Sequence, residues 1–391
     1  MPTFYLSCLL AFTGGHMVNY TVILYLQEKV GSDLLSGIGF GLSFGTSILF
    51  GWFAGVLCDR ISPTRVIHMA QALFLLCLAG LWWTDAGANE RTRVFWTLFS
   101  AFLGGLAWSF VGPARLAALG QIAPAGKLRP ATIIFNLQVL IGFGLAPVVI
   151  GVVRSHFGWP AVFATGMGFF VASSLLLLGT RTKGSGQLGQ GVLTELGQGF
   201  SVVKANPLLA QLLVAAVIAY AMTGPMQIIL PKLAREVLGL TEMQRGGYLG
   251  LMALALIAGG VSALFLGKYL HHGATVFAGT VMASLLFASL SHWTSAAVSA
   301  TALGAMGILG GMVISFIIAG IQGQAPDATR GRIMSIYSII SQVVPAASGV
   351  VAGALVRSTG VGTAILIAGV SLACLALLGA SLMPQLRRAA N

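Results

Sequence analysis

The chain has 391 residues, 57% hydrophobic and 8% charged, with a mean hydropathy of +0.92. A soluble domain carries about 25% charged residues, so a water-soluble globular protein is excluded and the chain belongs in a bilayer. The net charge of +12 is distributed over many short connections instead of one patch, which argues against a nucleic-acid partner.

A membrane-spanning helix needs about 20 apolar residues. Twelve runs qualify: Phe4–Leu26, Leu35–Leu57, Val66–Trp83, Val94–Phe110, Thr132–Val153, Ala161–Leu178, Leu208–Leu230, Gly246–Leu266, Thr275–Leu290, Ala296–Ile318, Ile333–Val356 and Thr363–Met383. Barrel strands would be about 10 residues long with alternating polarity. These runs show no such alternation, which leaves an all-α membrane protein with twelve transmembrane helices. The first run lacks a basic leader and is long enough to span, so it is expected to be a membrane helix and not a cleaved signal.

In this reading every Asp, Glu, Lys and Arg falls in a loop or at a helix end, so the membrane interior holds no carboxylate and no permanent cation. One ionisable group is deep. His16 lies near the middle of the first run, roughly 15 Å from either surface at 1.5 Å per residue. An imidazole switches charge near neutral pH with modest perturbation. His16, Asn19 and Tyr20 are spaced i, i+3, i+4 and share one helix face. They form either a polar helix–helix contact or a functional face for substrate or protons.

Between the second and third runs lies Gly51–His68, with the spacing Gly55-x-x-x-Asp59-Arg60 followed by Arg65. Gly55 lets a neighbouring backbone come close. Asp59 can cap a neighbouring helix or pair with a base. Arg60 and Arg65 are cations just outside the bilayer. The stretch, with an eight-residue turn between Leu57 and Val66, resembles the signature loop between helices 2 and 3 of the major facilitator superfamily, roughly G-x-L-a-D-r-x-G-r-[KR]. Gly55, Leu57, Asp59, Arg60 and Arg65 match, and Ser62 and Pro63 replace the glycine and the first basic residue. The resemblance implies a transporter whose loop latches the cytoplasmic side.

Further along, Pro113-Ala114-Arg115 through Ala123-Pro124, then Ala131 to Asn136, is similar to the loop between helices 4 and 5 of a bacterial branch of exporters for enterobactin, macrolides and drugs. Ala325-Pro326-Asp327 with Arg330-Gly331-Arg332 is similar to that branch's loop between helices 10 and 11. Arg115, Arg129, Arg330, Arg332, Asp59 and Asp327 are the implied cytoplasmic gate. Gly142-x-x-x-Ala146-Pro147-x-x-x-Gly151 partly resembles the helix-5 motif of drug/proton antiporters.

In the seventh run Tyr220, Thr223 and Gln227 share a face, and Gly224-Pro225 is expected to break the helix. The resemblance implies that helices 1, 4, 7 and 10 line a central cavity. Trp108, Asn136, Gln138, Tyr337 and Gln342 are the remaining polar or aromatic candidates for substrate contact.

The two halves look like repeats. Gly55-x-x-x-Asp59-Arg60 corresponds to Gly267-x-x-x-His271-His272, and Pro147-x-x-x-Gly151 to Pro345-x-x-x-Gly349. The expected division is a six-helix half over 1–178, a linker over 179–207 compatible with a short surface helix, and a second six-helix half over 208–391. With both termini inside, 13 of the 21 Lys and Arg are cytoplasmic, which satisfies the positive-inside rule. Cys8, Cys58, Cys77 and Cys374 have no metal or disulfide spacing, and neither a metal nor a cofactor is expected. No G-x-x-x-x-G-K-[ST] motif is present, so energy would come from gradients. The expected function is export of a small amphipathic molecule, a siderophore or a drug, by a monomer in a bacterial inner membrane, through proton antiport. Import or facilitated diffusion on the same fold is the alternative, and a non-transporting membrane receptor a remoter one. No enzymatic constellation is visible.

Overall fold

The computed structural model of the chain describes residues 1–87, 89–124, 126–184, 192–326 and 329–388. Asp327 lies outside the described residues, as does most of the Gly/Ser/Gln-rich linker. The side chains of Gly55, Asp59 and Arg129 also lie outside them.

The described structure is helical throughout. In order, the elements are α1 (Pro2–Glu28), α2 (Asp33–Arg60), α3 (Pro63–Gly87), α4 (Glu90–Ile122), α5 (Leu128–Leu176), α6 (Val192–Ala205), α7 (Pro207–Tyr220), α8 (Thr223–Lys232), α9 (Glu242–Leu266), α10 (His272–Ser289), α11 (Ala296–Gln324), α12 (Arg330–Thr359), α13 (Val361–Leu382) and α14 (Pro384–Arg388). The chain divides into two compact units. Unit 1 is Met1–Gly189 with Leu240–Gly250, and unit 2 is Gln190–Gly239 with Leu251–Asn391. The first turns of α9 therefore pack with unit 1, although chain order puts them in the second half.

In unit 1, α1 is the central helix. From Ala11 through Gln27 every residue is buried, with α2, α4 and α5 packed around it. A helix that is apolar all round has no solvent face, so the few polar groups on α1 must face protein.

Among the described residues, eleven helices are long and apolar enough to cross a membrane. The twelve expected runs correspond to these eleven because the fifth and sixth both fall within α5, on either side of a break at Gly158. At 49 residues, α5 would be about 73 Å long at 1.5 Å per residue, more than twice the roughly 30 Å of a bilayer core. It changes course at Gly158, where φ 74° and ψ −170° leave the helical region. Only glycine adopts that conformation at little cost.

Three expected boundaries move. Helix α4 does not stop at Phe110 but continues to Ile122 with Pro113 inside it; a membrane helix tolerates the single lost hydrogen bond. The expected eight-residue turn between Leu57 and Val66 shrinks to Ile61 and Ser62. Ser62 has φ 147°, a conformation that favours glycine, and it occupies the position of the loop motif's glycine. The break in the seventh run falls at Ala221–Met222, one turn before Gly224-Pro225. Pro225 has no N–H to offer the Ala221 carbonyl four residues back, so the ladder opens there.

In unit 2, α8 packs on α12 through Gly224. A Cβ there would sit 2.2 Å from the Gly349 nitrogen and 2.6 Å from the Pro345 carbonyl oxygen. Small residues at helix contacts supply the close packing that a bilayer cannot replace with hydrophobic force.

Candidate functional site

Trp108 of α4 lies along the stripe Phe12, Gly15, His16 and Asn19 of α1. Gly15 makes the room: a Cβ there would stand 2.7 Å from Trp108 Cζ2. The indole stacks over Phe12 at 6.3 Å between centroids and over Phe44 of α2 at 6.5 Å. Phe74 of α3 meets it edge-on at 5.9 Å. The His16 ring is 4.9 Å from the indole and 5.2 Å from Phe143 of α5. The Tyr20 ring lies 6.0 Å from that of Phe143. Five helices, α1 to α5, thus converge on one aromatic cluster, with two polar side chains set into it.

The polar groups are incompletely used. Trp108 Nε1 donates to Asn19 Oδ1 at 3.2 Å, which fixes the amide's orientation because an indole N–H requires an acceptor. Asn19 Nδ2 and His16 Nε2 are buried without a hydrogen-bond partner. Native proteins pair nearly all such atoms, so the cluster presents one amide donor and one imidazole nitrogen with unused bonding capacity.

The expected site residues divide clearly. His16, Asn19, Tyr20 and Trp108 come together in unit 1. Gln138 is buried but elsewhere, donating to the Tyr5 carbonyl at 2.8 Å. Asn136 is exposed. In unit 2, Tyr220 of α7 and Tyr337 of α12 share a hydrogen bond of 2.6 Å between hydroxyls. Gln227 is buried in α8, Thr223 is half-buried at its start, and Gln342 is half-buried and donates to the Ser338 carbonyl at 3.5 Å. Of the gate residues, Arg60 and Arg65 are exposed at the ends of α2 and α3, and Arg330 and Arg332 lie in the first turn of α12.

Arg115 overturns an expectation. It is neither in a loop nor at a helix end but inside α4, with 0% of its surface exposed. Its Nη1 donates to Ser7 Oγ and Cys8 Sγ, both at 3.2 Å, and Nη2 to Ser173 Oγ at 2.8 Å. The protein interior therefore holds a permanent cation, carried on a helix long and apolar enough to cross a membrane. The resemblance of Pro113-Ala114-Arg115 to a loop between helices 4 and 5 implies a loop position, but α4 continues through Pro113 to Ile122.

Sequence reasoning also missed Phe12, Phe44 and Phe143, since a phenylalanine in an apolar run carries no signal of its own. At the far end of α1 it missed a charge network in unit 1. Arg154 pairs with Glu28 and lies 3.1 Å from Glu242, while Arg245 lies 2.9 Å from Glu28.

A family model described as Major Facilitator Superfamily matches residues 4–349. Among solved structures, a D-xylose-proton symporter superposes with a TM-score of 0.80 at 14% identity, covering 100% of this chain and 98% of that one. A POT family transporter in complex with a thioalcohol conjugated peptide gives 0.76 at 11% identity, covering 98% and 96%. A nucleoside transporter gives 0.75 at 13% identity, covering 98% and 99%. At these identities the likeness is one of fold. Among curated proteins, the protoheme IX farnesyltransferase of Thermus thermophilus is 30% identical over 132 residues, covering 32% of this chain. The chain spans 20% of that relative's length.

Proposed function

Because the chain belongs to the Major Facilitator Superfamily, and is thus a multi-pass membrane transporter and not an enzyme, we propose that it exports a small amphipathic molecule by alternating access. The observation that carries this reading is the cluster of His16, Asn19, Tyr20, Trp108 and Phe143. Stacked rings suit a planar apolar body, and the unused His16 Nε2 and Asn19 Nδ2 suit its polar edge. Binding sites of this kind combine apolar walls with a few placed polar groups. Siderophores and drugs have that character. Within unit 2, Tyr220 and Tyr337, with Thr223 and Gln227, are further proposed substrate contacts.

The proposed setting is a bacterial inner membrane, with a monomer of twelve spans, α5 counting as two at Gly158, and both termini cytoplasmic. Proton antiport through His16 is the proposed coupling. Asp59, Arg60, Arg65, Arg129, Asp327, Arg330 and Arg332 form the proposed cytoplasmic gate. Each exposed pair there contributes about 0–1 kcal/mol, weak enough to break in every cycle.

The test is comparative mass spectrometry of the medium and cytoplasm of the native host, with and without the gene, under iron starvation and iron sufficiency. A chelating metabolite that falls outside and accumulates inside supports siderophore export. Unchanged iron-dependent metabolites sink that substrate class and move the search to a drug panel. A compound that fails to enter cells lacking the protein selects the import reading. His16→Gln should abolish the pH dependence of transport, and an unchanged pH profile removes His16 as the proton carrier.

A further inference from the structure

We infer that Arg115 is the fixed cation of a buried anion site in unit 1, which takes one monovalent anionic group through the guanidinium and the hydroxyls of Ser7 and Ser173.

Among the described residues, no carboxylate pairs with Arg115. Its contacts are two hydroxyls and a thiol, and Nε is buried with no partner at all. The surrounding bonds are also between neutral groups. Ser173 Oγ lies 2.8 Å from the Ser7 carbonyl, Ser7 Oγ lies 2.9 Å from the Ser173 carbonyl, and Gln71 Nε2 donates to Ser173 Oγ at 2.6 Å. The Phe12 ring covers another side, 6.0 Å from Cζ. Hydroxyl dipoles and a ring face lower the cost of a buried cation but do not cancel its charge. An ion taken out of water without a counter-charge costs several kcal/mol, and in a bilayer such residues pair or serve a ligand.

The surroundings suit an anion. Both serine hydroxyls accept from Arg115 and donate to each other's backbone carbonyl; on turning away from that carbonyl each O–H would donate to an anion. Together with Nε–H and the guanidinium N–H groups they would surround a halide or a carboxylate oxygen. The charge of the site admits one negative charge. Phe12 touches both Arg115 and the stacked face of Trp108, so the site adjoins the aromatic cluster. A free halide and the carboxylate of a transported molecule share this chemistry; only the second rests on the transport reading.

The test is thermal unfolding of the purified full-length protein in detergent at constant ionic strength, with isethionate replaced stepwise by bromide or by acetate. The inference expects a saturable rise of the midpoint by about 3 °C or more in the wild type. It expects that rise to vanish in Arg115→Gln. Ser173→Ala keeps the charge and removes one donor, so it should need roughly tenfold more anion for the same rise, and it serves if Arg115→Gln does not fold. A response to bromide assigns the site to a free halide. A response to acetate alone assigns it to a substrate carboxylate. A wild type insensitive to both anions, or an equal response in Arg115→Gln and Ser173→Ala, overturns the inference. So does insensitivity to anions with a pH-dependent midpoint that Cys8→Ser removes, because the counter-charge would then be the Cys8 thiolate. Loss of export alongside an intact anion response would sink the transport reading alone.

Discussion

Arg245 Nη1 lies 2.9 Å from Glu28 Oε1, across 217 residues of chain. The other Glu28 oxygen bonds Arg154, whose guanidinium also stands over the Trp159 ring at 4.2 Å. Glu28 is thus the shared acceptor of two arginines, and the side chains of all three are 12–14% exposed. The carboxylate of Glu242, 3.1 Å from Arg154 and 3.6 Å from Arg245, completes a four-residue neutral group. Within unit 1 this group ties the segment Leu240–Gly250 to the end of α1.

Glu28→Gln leaves two largely buried guanidinium groups with only Glu242 between them. The expected loss is roughly 1–3 kcal/mol, between the values for exposed and buried pairs. Thermal unfolding in detergent should show a lower midpoint. Arg245→Met added to Glu28→Gln should recover part of it, since the surplus charge is then smaller; full additivity of the two changes would mean that the pair is not coupled.

Trp108→Phe keeps an aromatic ring but removes the donation to Asn19. If the cluster is the substrate site, this variant should retain normal expression and lose affinity. Trp108→Ala should in addition destabilise unit 1 by about 3–5 kcal/mol through the void it leaves. Affinity measured on purified protein, with unfolding in parallel, separates the two effects. Unchanged affinity in Trp108→Phe would count against the site.

Tyr220 and Tyr337 should be energetically coupled. Phenylalanine at either position removes a hydrogen bond with a net worth of about 0.5–1.5 kcal/mol. The double variant should cost less than the sum of the singles. Strict additivity would show that the 2.6 Å contact contributes nothing to stability.

Gly224→Ala should be among the most damaging conservative changes in unit 2. The new methyl would stand 2.2 Å from the Gly349 nitrogen, a backbone atom that cannot rotate away. A Cβ at Gly247 of α9 would meet nothing within 4 Å. There the same substitution should be neutral, or stabilising by up to about 1 kcal/mol from helix propensity. Comparable unfolding midpoints for the two variants would contradict the close approach of α8 and α12.

The His16–Asn19–Tyr20 face was legible because helical spacing alone aligns those residues. Their partners were not. Trp108 could be noted singly, but nothing in its neighbourhood says that it lies along that face. Arg115 is misplaced from sequence because the apolar run stops at Phe110 and the stretch from Pro113 resembles a loop, whereas α4 runs on to Ile122. Only the hydroxyls of Ser7 and Ser173, 166 positions apart, explain how the helix carries it inward.

The sequence by itself determined that the chain is a helical membrane protein, where its apolar runs lie, and that its turn after α2 follows the superfamily pattern. These properties are local: hydropathy, glycine and proline act within one or two turns of their own position. The tertiary structure decided which faces meet. In α1 nearly every residue is buried, so hydropathy marks no inward side, and in a bilayer close packing and polar contacts select the partner helix. The convergence on Trp108, the burial of Arg115 against Ser7 and Ser173 and the double use of Glu28 all depend on such contacts between residues distant in the chain.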